Sequence, residues 1–146
     1  CDACPLEKVC KAREQNLVNS IPPARIRTKP KPLNMTAFVI EAGNHVLLHR
    51  RENSGLWAGM WELPSAEENG RSTEEAIATI LPAPVRQSLN DITTTGVVQH
   101  QLTHRTVRFA VYRGRSKKTR LPKSFRWAKL SDDLPLPKAF QKVLNA

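Results

Sequence analysis

Apolar and polar positions along the chain fall into two periods, and the period changes where the elements change. Residues 36–41, TAFVIE, and residues 45–50, HVLLHR, are β-rich runs separated by Ala42-Gly43-Asn44, which predicts a hairpin. WELP, residues 61–64, predicts a short strand ended by Pro64. After Ser72 the spacing becomes helical. Ala76, Ile77, Ile80 and Leu81 share one face, and Ser72 followed by Glu75 three residues on forms a capping box. Pro82 and Pro84 are expected to end that helix early. Residues 97–100 and 106–113 predict a second hairpin, with Val107, Phe109 and Val111 on one side of the latter strand and Arg108 and Tyr112 on the other. A last strand is expected over residues 125–130 and a closing helix over 138–144, its Phe140, Val143 and Leu144 turned inward. Strands mixed with two helices predict an α+β domain over residues 34–146.

The preceding residues follow neither period. Residues 20–33, SIPPARIRTKPKPL, combine Pro22, Pro23, Pro30 and Pro32 with basic residues, a composition that favours extended polyproline II, so they read as a connector. Residues 1–19 form a separate appendage. It holds all three cysteines, Cys1, Cys4 and Cys10, in the spacing C-x2-C-x5-C. Thiolates this close, beside Lys8 and Lys11, suit a soft metal or an iron–sulfur cluster, and one disulfide with a spare thiol is the alternative. A cuboidal cluster needs four cysteines. The fourth is therefore expected upstream of Cys1.

Charge changes the picture more by its placement than by its sum. The 146 residues carry a formal +10, and between Ile92 and Ser131 there is no acid. Arg105, Arg108, Arg113, Arg115, Lys117, Lys118, Arg120, Lys123, Arg126 and Lys129 all fall in that interval. A one-signed field of this kind attracts polyanions, because each base that neutralises a phosphate releases a counterion, and it favours nucleic acid over a merely solvated face. No apolar run reaches the roughly 20 residues that span a bilayer, and no signal pattern opens the chain, so a soluble, intracellular protein without a membrane partner is expected.

Three separated motifs then converge on one family. CDACPLEKVC resembles the last three cysteines of the iron–sulfur loop of the endonuclease III-like DNA glycosylases, whose first cysteine lies upstream. HRRENSGLWAGMWELP, residues 49–64, is similar to the Nudix-like C-terminal domain of the MutY family of adenine DNA glycosylases, which act opposite 8-oxoguanine. HQLTH, His100 to His104, resembles that family's lesion-contacting loop, usually His-x-Phe-Ser-His, with Leu102 in place of Phe and Thr103 in place of Ser. The resemblance covers nearly the whole chain and implies a Nudix-like mixed sheet with flanking helices. It implies the end of a glycosylase of base excision repair, cytoplasmic and nucleoid-associated in a bacterium and acting as a monomer. The missing N-terminal part would excise adenine, and this part would bind double-stranded DNA carrying 8-oxoguanine opposite that adenine. Cys1, Cys4 and Cys10 would supply three of four ligands to a 4Fe-4S cluster, and the connector could meet repair or replication proteins.

The residues suit that reading chemically. Oxidation gives guanine a donor at N7–H and an acceptor at O8, so a hydroxyl that accepts and a backbone N–H that donates can report both changes. Thr103 is the candidate reader. Leu102 keeps an apolar wedge without an aromatic face. His100 and His104 could brace the loop or touch phosphate, or be ordinary polar hairpin residues, and Arg105 and Arg108 continue the basic face. A Nudix hydrolase gathers Mg²⁺ on several carboxylates of one helix. Here Glu74 and Glu75 sit in the first turn, where capping explains them, and residues 76–87 contain no acid. No magnesium site and no pyrophosphatase activity are expected. A stand-alone Nudix enzyme for oxidised nucleotides and a protein-interaction domain are the alternatives. Trp57, Met60 and Trp61 are expected to pack rather than to stack on bases, while Arg50 and Arg51 suit either phosphate contact or a solvated strand end.

Overall fold

The computed structural model describes residues 1–21, 23, 29–130 and 133–146. Part of the expected connector, residues 22 and 24–28, lies outside them. The appendage forms a 3-10 turn, Glu7–Val9, and a short helix, α1 (Lys11–Glu14), joined by an Arg13–Glu7 ion pair. The strands and helices that follow are β1 (Lys31–Glu41), β2 (His45–Arg50), β3 (Trp61–Glu62), β4 (Ser65–Glu67), α2 (Thr73–Ile80), α3 (Ala83–Gln87), β5 (Asn90–Gln101), β6 (Arg105–Arg115), β7 (Phe125–Lys129) and α4 (Lys138–Leu144). The result is the expected α+β architecture, a mixed sheet with flanking helices.

β1 occupies the centre of the seven-stranded sheet, whose main path runs β3-β2-β1-β6-β5. It pairs in parallel with β6 from Lys31↔Arg105 to Glu41↔Arg115, antiparallel with β4 over Met35–Ala37, and with β2 near Glu41↔Val46; β7 pairs β2. Both faces of β1 are covered. Met35, Ala37 and Val39 join Val46, Leu48, Val107, Phe109 and Val111 beneath Ala139, Phe140 and Val143 of α4. Phe38 and Ile40 join Leu47 on the opposite face, beneath Ala76, Leu81 and Val85. A strand buried on both sides reads as a nearly continuous apolar run, which is why AFVI and VLL show no alternation.

Four elements differ from the sequence expectation. Residues 31–33, read as connector, open β1 and pair with Arg105, Thr106 and Val107. Pro32 is tolerated because the Lys31 N–H donates to the His104 carbonyl at 3.0 Å and the Asn34 carbonyl accepts from Glu68, so alternate residues face alternate neighbours and the Pro32 nitrogen lies on the side away from β6. β4 follows directly after Pro64, too short to show a period. α3 includes Pro84, which sits in the first helical turn where no intrahelical N–H is needed. β5 starts at Asn90, well before residue 97, and register shifts at Asn90/Thr93 and Thr94/Gly96 hide its alternation. The capping box on α2 is as expected, with Ser72 Oγ accepting from the Glu75 N–H and Glu75 accepting from the Ser72 N–H.

Among the described residues, one charged side chain enters the core. Glu62 is 1% exposed, and both its oxygens accept from Arg51 Nη1, at 3.1 and 2.9 Å, with His49 Nδ1 at 3.5 Å. Arg51 is therefore engaged as a structural base. Its backbone N–H also donates to Met60, so the pair anchors the loop between β2 and β3. Gly59 in that loop has φ +68°, and a Cβ there would stand 2.9 Å from Asn53 Oδ1. Trp57 tucks its ring onto Phe140 and Phe109, with centroids 5.1 and 6.3 Å apart, so it packs as expected. Trp61 lies under the Arg126 guanidinium at 4.3 Å, whereas Met60 is 41% exposed and does not pack.

Removing one partner of a buried ion pair strands the other. Arg51→Met should destabilise the domain by about 3 kcal/mol, the low end for such a loss because Arg51 keeps some solvent contact. Arg51→Met with Glu62→Leu should recover most of that loss. Urea unfolding of the single and double variants measures both.

Candidate nucleic-acid interface

The β5–β6 hairpin turns over Leu102, Thr103, His104 and Arg105, with the Leu102 N–H donating to the Arg105 carbonyl at 2.8 Å. Gln101 fastens the turn from below: its Nε2 donates to the Leu102 carbonyl at 3.0 Å, and its Oε1 accepts from Thr106 Oγ1 at 2.8 Å. Sequence reasoning passed over Gln101. The cross-strand pairing of an amide with a hydroxyl, Gln101↔Thr106, is the signal that could have found it. The His104 carbonyl accepts from Lys31, so the first residue of β1 also holds the tip in place.

This leaves Thr103 and His104 exposed at the apex. Among the described residues, the Thr103 hydroxyl and the backbone N–H groups of Thr103 and His104 have no hydrogen-bond partner. One acceptor-capable hydroxyl and two donors thus stand together in solvent. Arg105 and Arg108 are exposed next to them. Arg108 lies on the opposite face of β6 from Val107 and Phe109, across from Gln99.

Two residues from the expected set point elsewhere. Leu102 is half-buried and packs against the core under α4, so it supports the turn instead of projecting from it. His100 lies on that same face, half-buried beneath α4, and its shielded Nδ1 makes no hydrogen bond. Burial, then the positive charges of Lys142 and Lys138, lower its pKa below the usual 6.5. The tip therefore brings together Thr103, His104, Arg105 and Arg108, with Leu102 and His100 beneath.

A cleft of about 460 Å³ opens beside Arg105. Leu33, Met35, Leu56 and Trp57 line its apolar part, and Arg51, Arg105 and Glu67 supply the charge. The sequence concealed it because its walls come from β1, β4, β6 and the loop before β3.

The remaining candidate chemistry lies away from the tip. Over residues 76–87, the buried positions are Ala76, Leu81 and Val85, packed on Phe38, Ile40 and Leu47, so the helical stretch covers the sheet with hydrocarbon. Glu75 is committed to its cap. Cys1 and Cys4 are exposed and Cys10 is half-buried, all as free thiols. Among the described residues, no group of three or more His, Cys, Asp or Glu is placed to hold a metal ion. The donor chemistry of the three thiols fits a cluster in kind, and one ligand short in number. No helix among the described residues is long and apolar enough to cross a membrane.

Residues 36–146 match the family model of the NUDIX domain. The chain belongs to the NUDIX domain family. Among solved structures it resembles the C-terminal domain of mouse MUTYH in complex with human PCNA, at 23% identity over 77% of this chain and 85% of that one, with a TM-score of 0.58. It also resembles a MutT NUDIX hydrolase from Burkholderia pseudomallei, at 20% identity over 79% of this chain and 97% of that one, TM-score 0.62. A MutT protein from Methanosarcina mazei Go1 matches at 23% identity over 81% of this chain and 94% of that one, TM-score 0.60. Likeness at this level establishes the NUDIX fold.

The lowered pKa of His100 predicts a pH-dependent stability. Its folded pKa lies below the unfolded value, so as pH falls through 6.5 the unfolded chain takes up the proton first and stability drops. The melting temperature of the parent chain should fall between pH 8 and pH 5.5 more steeply than that of His100→Gln. Parallel slopes would show that His100 does not contribute.

Proposed function

We propose that this NUDIX domain is the lesion-reading part of an adenine DNA glycosylase and that the β5–β6 tip recognises 8-oxoguanine opposite adenine. The observation that carries the reading is the exposed trio at the apex, the Thr103 hydroxyl and the two free N–H groups of Thr103 and His104, set on a hairpin with no acid between Ile92 and Ser131. The hydroxyl would accept from N7–H of the oxidised purine, and a backbone N–H would donate to O8. Unmodified guanine still offers N7 as an acceptor, to which the hydroxyl can rotate and donate. Much of the discrimination therefore falls on the backbone N–H at O8. Arg105, Arg108 and His104 would hold the phosphates on either side and set the register without reading sequence.

In this reading the excision of adenine belongs to a part of the protein not present here, and this chain alone performs no hydrolysis. Cys1, Cys4 and Cys10 would hold three corners of a 4Fe-4S cluster with one further ligand, and the cluster would order the segment that joins the two parts. The complex of the mouse MUTYH domain with human PCNA supports a protein partner for this chain as well. A second reading, hydrolysis of oxidised nucleotides, is favoured by the MutT neighbours and the cleft beside Arg105. The hydrocarbon face of α2 and α3 weighs against it, since a hard cation needs several carboxylate oxygens from one place.

Fluorescence anisotropy with duplexes that differ only in guanine or 8-oxoguanine opposite adenine tests the assignment. Thr103→Ala should reduce the preference for the lesion by about 1 kcal/mol, roughly fivefold, and leave affinity for undamaged duplex nearly unchanged. Arg108→Ala should weaken both duplexes alike and lower the slope of log affinity against log salt by about 1. Equal losses for Thr103→Ala on both duplexes would refute the reading. Mg²⁺-dependent hydrolysis of 8-oxo-dGTP by the purified chain would establish the second.

A further inference from the structure

β5 ends the sheet path, and among the described residues no strand pairs with its outer side. The Leu102 to Arg105 bond marks those two residues as a hydrogen-bonded pair. Antiparallel alternation then turns the backbone groups of Leu102, His100 and Val98 toward β6 and those of Gln101, Gln99 and Val97 outward. The register from Val97↔Ala110 to Gln101↔Thr106 is unbroken, whereas the bulges lie before residue 97. A straight, open edge of five residues results.

Natural sheets blunt such an edge with lysine, proline, bulges or a covering element. Residues 97–101, VVQHQ, carry no formal charge and no proline. Val97 is 61% exposed and, among the described residues, is the one exposed large apolar side chain within a strand. The surroundings are uniformly basic: Arg108 lies across from Gln99, and Lys138 and Lys142 of α4 direct their charges toward His100. A second copy of the chain would set these bases against themselves.

We infer that β5 takes an extended, acidic segment of a partner protein as an added strand along residues 97–101. Main-chain hydrogen bonds to Val97, Gln99 and Gln101 supply affinity, Val97 receives an apolar side chain, and carboxylates on the flanking positions meet Lys138, Lys142 and Arg108. The inference stands independently of what Thr103 reads.

A labelled, end-blocked Asp-Val-Glu-Val-Asp peptide is the probe, titrated by anisotropy. Two versions, N-methylated on alternate nitrogens, separate strand addition from plain charge attraction: one should bind like the parent peptide and the other at least about tenfold more weakly. Gln99→Pro removes one outward N–H and keeps the ladder to β6, so it should weaken the parent peptide about tenfold while the melting temperature and undamaged-duplex affinity hold. Lys138→Glu with Lys142→Glu should weaken it further. Equal binding of the two methylated peptides, or unchanged binding by a folded Gln99→Pro, overturns the proposal. Sedimentation showing self-association that Gln99→Pro abolishes overturns it in favour of a second copy. If Gln99→Pro does not fold, the methylated pair decides alone.

Discussion

Strand β1 is buried on both faces and pairs on both edges, and most of the molecule is arranged by that constraint. Its parallel ladder with β6 runs from Lys31 to Glu41 and fixes where the β5–β6 tip stands. Parallel strands need a long connection, and here the chain between β1 and β6 supplies β2 to β5, α2 and α3. The apolar layers above and below β1 then place α4 against one face and α2 with α3 against the other. Because the Lys31 N–H bonds to the His104 carbonyl, the apex is tied to the central strand of the sheet. A recognition loop gains position from such a tie, and keeps its own donors free for a ligand.

The same constraint bears on the helical stretch over residues 76–87. Leu81 and Val85 cover Phe38, Ile40 and Leu47, and Pro82 and Pro84 split the stretch into two short helices. Hydrocarbon at these positions adds burial to the second apolar layer, worth about 1.5–3 kcal/mol for each large side chain that is fully covered. A carboxylate pointing the same way would meet Leu47 and Phe38 and lose hydration without a partner. Among the described residues, the one acid that enters the core, Glu62, does so with the Arg51 guanidinium on both its oxygens and fastens the Trp57 loop. Burial of charge here serves to hold a loop.

Two kinds of surface follow from this arrangement. The apex offers unpaired donors and a hydroxyl amid bases, suited to a polar, anionic duplex. The outer side of β5 offers backbone groups beside Val97, suited to an extended chain. The cleft next to Arg105 adds a third concave feature, assembled from Leu33, Leu56, Trp57 and Glu67. The apex and the outer edge lie on β5 and β6, the cleft joins β6 to β1, β4 and the loop before β3, and the cysteines lie in the first ten residues.

Local pattern alone determined much of this protein. The capping box at Ser72, the inward Val107, Phe109 and Val111 of β6, the hairpin at Ala42–Asn44 and the inward Phe140 and Val143 of α4 were all legible, because each depends on residues a few positions apart. So was the exposed placement of Thr103, His104, Arg105 and Arg108 near a turn. Tertiary structure decided what no period encodes: that Lys31 to Leu33 form strand instead of connector, that His100 and Leu102 turn under α4, that Arg51 is committed to Glu62, and that β5 ends the sheet path with its outer side unpaired among the described residues. Periodicity reports which face of an element is apolar. It is silent on which distant strand supplies the hydrogen bonds or which helix covers the face, because those depend on pairings between residues up to 84 positions apart, as for His45 and Lys129.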